Sequence, residues 1–313
     1  MLRFVARRVL IAIPILAIVV SFTFFLVQLI PGNPAQTILG KGATAAQIAA
    51  VNHQLGLDQP IGIRFLAFWG NTLQGNLGVS LINGQPVAQS IANALPVTLS
   101  LAISATLLTG IVGIGLGVLS AVRGGTVDRI VQGASSVGMA LPSFWLAVTL
   151  VLVFSIILKW LPATGYTPIT QSPGQWAYGM VLPVVAIGLA GIASISRQTR
   201  SAMLETLGKD YIRSLRAQGL PTRSIIYKHA LRNASIPIVT NIGFQFIGVL
   251  GGAVIIEQIF ALPGIGQLTN TAVSQHDIPV VQGAVIVTAA IVLLVNLLVD
   301  VVYLILNPKT RRA

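Results

Sequence analysis

Six apolar runs, almost free of charged residues, lie near positions 9–30, 96–122, 130–158, 180–196, 234–257 and 281–306. Each approaches or exceeds the roughly 20 residues that an α-helix needs to cross a hydrocarbon core about 30 Å thick. Lipid offers no water to satisfy a peptide backbone, so a spanning segment of this composition must be helical. The pattern predicts an all-α integral membrane protein with six transmembrane helices.

The stretches between the runs complete the organisation. Residues 1–8 form a short basic lead, Met1-Leu-Arg-Phe-Val-Ala-Arg-Arg8, and residues 9–30 the first span. That first run would measure about 33 Å as a helix, longer than a secretory signal core, and it lacks a small-x-small exit before Pro31. It reads as a retained helix. Residues 31–95 are punctuated by Pro31-Gly-Asn-Pro34, Gly56, Pro60, Gly75 and Asn83-Gly84, the marks of short helices joined by turns. Residues 96–313 hold the other five spans and, at 197–233, a polar loop. Within the loop the spacing predicts one short helix from Asp210 to Gln218, stopped by Gly219, and a second from Thr222 to about Asn233.

Basic residues orient the chain, because Lys and Arg accumulate on the cytoplasmic side. With the N-terminus inside, that side carries Arg3, Arg7, Arg8, Arg123, Arg129, the eight cations from Arg197 to Arg232, and Lys309, Arg311 and Arg312. Only Lys41, Arg64 and Lys159 fall outside. Both termini are therefore expected in the cytoplasm, and residues 31–95 on the extracytoplasmic side.

Composition agrees with a membrane protein: 54% of residues are hydrophobic and 8% charged, against about a quarter charged in soluble domains. The net charge of +12 is too sparse for a nucleic-acid binder and fits contact with anionic lipid. Cysteine is absent, which removes thiolate chemistry, and His53, His229 and His276 form no ligand spacing. No Gly-x-x-x-x-Gly-Lys-Ser/Thr loop, His-Glu-x-x-His or Gly-x-Ser-x-Gly motif occurs, so no catalytic residue and no cofactor are assigned to this chain.

Ionisable groups in mid-membrane would mark an ion-coupled carrier. Glu257 and Asp300 are the candidates, and both are expected near helix ends within reach of water or headgroups. Asn241 and Gln245, polar at i and i+4 on the fifth run, suit either a translocation path or packing against a neighbouring helix. Gly113 with Gly117, and Gly248 with Gly252, have the small-xxx-small spacing of close helix approach, within one bundle or at a subunit interface. A self-sufficient channel or secondary carrier stays open at this point.

The inner loop is more specific. In its first short helix Tyr211, Ile212 and Leu215 share a face, while Arg213 and Arg216 point elsewhere, giving an apolar ridge with basic flanks. The segment Asp210-Tyr-Ile-Arg-Ser-Leu-Arg-Ala-Gln-Gly219, followed by His229-Ala-Leu-Arg-Asn-Ala234, resembles the coupling loop of ABC importer permeases of the dipeptide, oligopeptide and nickel branch. The wider family reads Glu-Ala-Ala-x-x-x-Gly there; Gly219 matches its glycine, and Arg213, Ser214 and Leu215 replace the acidic-alanine triplet. Leu141-Pro-Ser-Phe-Trp-Leu146, Trp160-Leu-Pro-Ala-Thr-Gly-Tyr166, Gly251 to Phe260, Leu262-Pro-Gly-Ile-Gly266 and Asp277 to Gly283 are similar to other stretches of that branch. Gly56-Leu-Asp-Gln-Pro60 and Gly75-Asn-Leu-Gly78 extend the likeness, with Asn76 where the family more often has aspartate.

The resemblance implies the type I ABC importer permease fold in a bacterial cytoplasmic membrane. It also implies a second homologous permease as heterodimer partner, two ATPase subunits that bind ATP and magnesium, and an extracytoplasmic solute-binding protein. Asp210, Tyr211, Ile212, Arg213, Ser214, Leu215, Arg216, Ala217, Gln218 and Gly219 would seat in an ATPase groove, with Ile212 and Leu215 as the buried contact. Cargo in that branch is a short peptide, with nickel complexes and haem as alternatives.

Overall fold

The computed structural model describes residues 2–29, 32–40 and 42–306, and among these the regular elements are helices, apart from an isolated bridge between Val79 and Pro86. Of the residues used above, Pro31, Lys41, Lys309, Arg311 and Arg312 lie outside the described ones. In chain order the helices are α1 (Leu2–Val27), α2 (Pro34–Leu39), α3 (Ala45–Gln54), α4 (Ile61–Leu73), α5 (Val87–Arg123), α6 (Gly125–Ala140), α7 (Ser143–Leu150), α8 (Pro173–Leu207), α9 (Asp210–Ala217), α10 (Thr222–Ser224), α11 (Leu231–Ile259), α12 (Ile265–Ser274) and α13 (Ile278–Leu306).

Among the described residues five helical stretches are long and apolar enough to cross a membrane: Ala6–Val27, α5, α8, Thr222–Ile259 and α13. A sixth span forms only if α6 and Ser143–Ile157 are counted together, and these are bent by 97°. The run over 130–158, expected as one span, is present as two helical segments with a sharp bend between them, and counting them as one span gives the expected six. Pro142 is the physical cause, since its ring disfavours helical geometry at the preceding residue. Leu141 is extended (φ −83°, ψ 123°), and α7 restarts directly after Pro142.

A second difference concerns the inner loop. The helix expected from Thr222 to about Asn233 is not a separate element: α10 passes through a π-wound turn, Ile225–Ala230, straight into α11. Nor is 197–207 loop, because α8 continues to Leu207. Polar residues were read as the end of helix, yet Thr199, Met203 and Thr206 are buried here and α8 holds its course through them.

The chain divides into two compact units. One comprises residues 1–8, 99–262 and 294–313, with α8 as the element on which α6, α7 and α11 pack. Close approach between α5 and α8 depends on glycine. A Cβ at Gly117 would lie 2.5 Å from Thr199 Cβ and 2.6 Å from the Ser196 carbonyl oxygen, and one at Gly113 2.9 Å from Ile195 Cβ. Gly248 on α11, in contrast, meets nothing within 4 Å. The same unit corrects the reading of Glu257, which is fully buried rather than solvated at a helix end. The chain beyond α11 covers it: Phe260 and Leu262 are each 1% exposed, and the Leu262 N–H donates to the Glu257 carbonyl at 2.8 Å. Asp300 pairs with Arg8 at 3.2 Å.

The other unit comprises residues 9–98 and 263–293. Two of its short helices, α2 and α3, begin at side-chain caps. Asn33 accepts the Ala35 N–H at 2.9 Å, and Thr44 with Gln47 forms a reciprocal capping box. Phe24, Phe25, Phe65 and Phe68 form a cluster with paired centroids 5.3–5.4 Å apart, Phe25 stacked on Phe65 and Phe24 meeting Phe25 and Phe65 edge-on. The Asp277 carboxylate accepts from the Ser80 hydroxyl and from the Leu81 N–H at 3.1 Å, tying the turn before α5 to the start of α13.

These glycine contacts yield a paired expectation. Gly117→Ala should cost roughly 1–3 kcal/mol by overpacking, whereas Gly248→Ala should be neutral or stabilise by up to about 1 kcal/mol. Thermal unfolding of the two variants in detergent checks this; equal melting temperatures would refute the close-approach assignment.

Candidate coupling site

An eight-residue helix is too short to be stable by itself, because isolated helices below about 12–15 residues are marginal in water. α9 has local support at both ends. Asp210 occupies the first turn and Arg216 the last, each favourable against the helix dipole, and Arg213 reaches Asp210 at 3.3 Å. At the C-terminus, Gly219 adopts φ +78°. The Gly219 N–H donates to the Arg216 carbonyl at 3.0 Å and the Leu220 N–H to the Leu215 carbonyl at 3.2 Å. This pair of bonds is a Schellman motif, whose left-handed residue is best tolerated as glycine.

Local terms of a few tenths to about 1 kcal/mol each do not hold such a helix in place. Burial decides the matter. Ile212 is 0% exposed, inside a cluster with Val118 and Ala121 of α5, Ile195 and Met203 of α8, and Ile225 and Ile226 of the π turn. Leu215 and Leu220 pack against the same cluster. Removing one isoleucine side chain from water is worth about 1.5–3 kcal/mol. Tyr211 adds a polar link, its hydroxyl accepting from Asn233 Nδ2 at 2.8 Å.

The apolar ridge of α9 therefore faces its own bundle. Ile212 has no exposed surface in this chain, and Leu215 is partly buried against the same cluster. The exposed residues of α9 are Asp210, Tyr211, Arg213, Ser214, Arg216 and Ala217, followed by exposed Gln218 and Gly219. The ten residues singled out in sequence are thus contiguous, some buried and the others exposed. Asn241 and Gln245 are elsewhere, on the α8 side of α11: Asn241 Nδ2 donates to Ser194 Oγ at 3.3 Å, and Gln245 Oε1 lies against Gly191.

Sequence reasoning missed a clamp at this end of the bundle. Arg200 of α8 grips Asp128 of α6 with two bonds, Nε to Oδ1 and a terminal nitrogen to Oδ2, each 2.5 Å. The Ser120 hydroxyl of α5 donates to Asp128 Oδ1, also at 2.5 Å. Three helices thus meet at one carboxylate, near the Val118 and Ala121 positions that cover Ile212. The available signal was scarcity: Asp128 is one of only seven acidic residues in the chain.

With this geometry in view, comparison with known proteins is decisive. Residues 113–312 match the family described as binding-protein-dependent transport system inner membrane component, and residues 1–102 match the N-terminal family of the same transport systems. The chain belongs to this family. It is 38% identical to the di/tripeptide transport system permease protein of Pseudomonas aeruginosa, covering 99% of both chains. It is also 38% identical to the glutathione transport system permease protein of Salmonella choleraesuis, again over 99% of each. The MetNI methionine ABC transporter, solved in inward-facing conformations, shares the fold at TM-score 0.56 and 18% identity, over 70% of this chain and 97% of that one. The permease is accordingly a multi-pass inner-membrane component with the type I ABC importer fold.

The Asp128–Arg200 clamp is testable. Asp128→Asn and Arg200→Gln should each lower stability by about 1–3 kcal/mol, with a coupling energy of about 1 kcal/mol or more in the double mutant. Chemical unfolding of the four proteins of the cycle checks this, and strictly additive losses would mean that the pair contributes nothing jointly.

Proposed function

We propose that this chain is one of two homologous permease subunits of an ATP-driven importer of short peptides, and that the outward face of α9 is where an ATPase subunit delivers its force. Two ATPase subunits bind ATP and magnesium on the cytoplasmic side, both chain termini lie on that side, and a solute-binding protein delivers cargo to the other. The cargo assignment rests on relatives named for di/tripeptide and glutathione transport. The observation that carries the coupling role is the two-faced burial of α9, with Ile212 at 0% exposure and Asp210, Arg213 and Arg216 in solvent.

Force transmission follows from that arrangement. A push on the exposed face cannot slide the helix without pulling Ile212 out of the cluster formed by α5, α8 and the π turn that opens into α11. Displacement is passed to those helices instead. Here the permease supplies the path and the lever, and nucleotide hydrolysis is the work of the separate subunits.

Reversing both exposed cations, Arg213→Glu with Arg216→Glu, leaves the buried face untouched. Permease stability should be unchanged, while co-purification of the ATPase and ATP-driven peptide uptake should fall by about tenfold or more. Normal uptake by this variant, or uptake by the purified permease without any ATPase, would overturn the proposal.

A further inference from the structure

The unit formed by residues 9–98 and 263–293 contains two adjoining cavities of about 250 and 450 Å³. Arg64 of α4 and Gln28, just past α1, line both. The larger is also lined by Gln282 of α13, by Phe24 and Phe68, and by Ile286. Its volume lies within the range of small-molecule sites, about 300–1,000 Å³.

Among the described residues three donors on these walls lack partners, Arg64, Gln28 and Gln282, while Asn52 Oδ1 on the smaller cavity's wall is an unpartnered acceptor. Arg64 is half-buried, and among the described residues none bonds to it or pairs with it. Burial alone pulls its pKa below the ordinary value, without a neighbouring charge to offset it. Gln282 is 7% exposed, and its Nε2 has no hydrogen-bond partner; the buried Nε2 of Gln28 has none either. Asp58, an acid on the smaller cavity's wall, is engaged by His53 at 2.7 Å. Leaving a buried donor unsatisfied is costly, and two amides lining the same cavity as an uncompensated guanidinium make that cost cumulative. All three are donors, and an ionised carboxylate is an acceptor with about four lone-pair sites and a planar shape that suits the guanidinium fork.

We propose that Arg64, Gln28 and Gln282 form a carboxylate-binding subsite that takes the C-terminal carboxylate of a short peptide, with Phe24, Phe68 and Ile286 as the apolar wall beside it. This rests on the reading of the cargo as peptide. The subsite gives the permease a contact of its own with cargo, in addition to whatever selection a binding protein makes. It selects for a free C-terminus and tolerates varied side chains, because the fixed donors address only the carboxylate.

The test uses the complete permease–ATPase complex in lipid nanodiscs without binding protein, titrated with dialanine, dialanine amide and acetate by calorimetry. Dialanine should bind, with dialanine amide and acetate at least about tenfold weaker. Arg64→Gln should weaken dialanine binding by about 10- to 100-fold, and Gln282→Leu should weaken it as well. Should Arg64→Gln not assemble, Arg64→Lys keeps the charge, loses the fork and should still bind more weakly. Unchanged binding by the variants, equal binding of the amide, or no dialanine binding would overturn the subsite. Acetate binding as tightly as dialanine would assign the cavity to a free anion and overturn it too. ATP-driven uptake of labelled dialanine with the binding protein present separates the two readings. Uptake without dialanine binding removes the subsite alone, and absence of uptake for any short peptide removes the peptide cargo.

Discussion

The burial of a single isoleucine organises the end of the bundle where α9 sits. Ile212 is the only residue of α9 that is fully enclosed, and the groups enclosing it come from α5, α8 and the π turn that opens into α11. An eight-residue helix supplies too little cooperative backbone energy to stay folded alone, so the position of α9 follows from that side chain and the Leu215 and Leu220 contacts around it. Its exposed residues can vary in identity without moving the helix. Its apolar ones cannot.

The same economy explains the neighbouring charges. Asp128, Arg200 and Ser120 satisfy one another across three helices, so the region covering Ile212 is held by directional bonds as well as by packing. Gly113 and Gly117 let α5 approach α8 closely enough for this to happen. In the proposed coupling role this stiffness matters, because a lever passes on displacement only when its mounting deforms less than its load.

Much of the architecture was legible in sequence because lipid imposes a coarse and strict rule on hydrophobic length. The run over 96–122 anticipated the apolar part of α5, and the turn at Gly219 followed from the stereochemistry of a left-handed residue. The break at Pro142 was in principle readable, yet an uninterrupted apolar run on either side concealed it. Ile212 and Leu215 were correctly placed on one face, but amphipathicity does not say whether such a face meets the same chain or another. Asp128 and Arg200 are 72 positions apart, and nothing local in either segment announces the other. Glu257 was misjudged because proximity to a helix end was equated with solvent, while the following segment folds over it.

The account's central claim is that α9 moves as one piece with the bundle to which Ile212 pins it. The absence of native cysteine allows two engineered ones, Ser214→Cys on α9 and Ser201→Cys on the exposed side of α8, to carry spin labels in the assembled transporter. Pulsed electron resonance should give a distance between them that stays within about 2 Å in nucleotide-free, ATP-bound and ADP-bound states, within the range of small rigid-element shifts. A change of about 5 Å or more, the rise of a full helical turn, would show that α9 slips against its mounting and would contradict the lever.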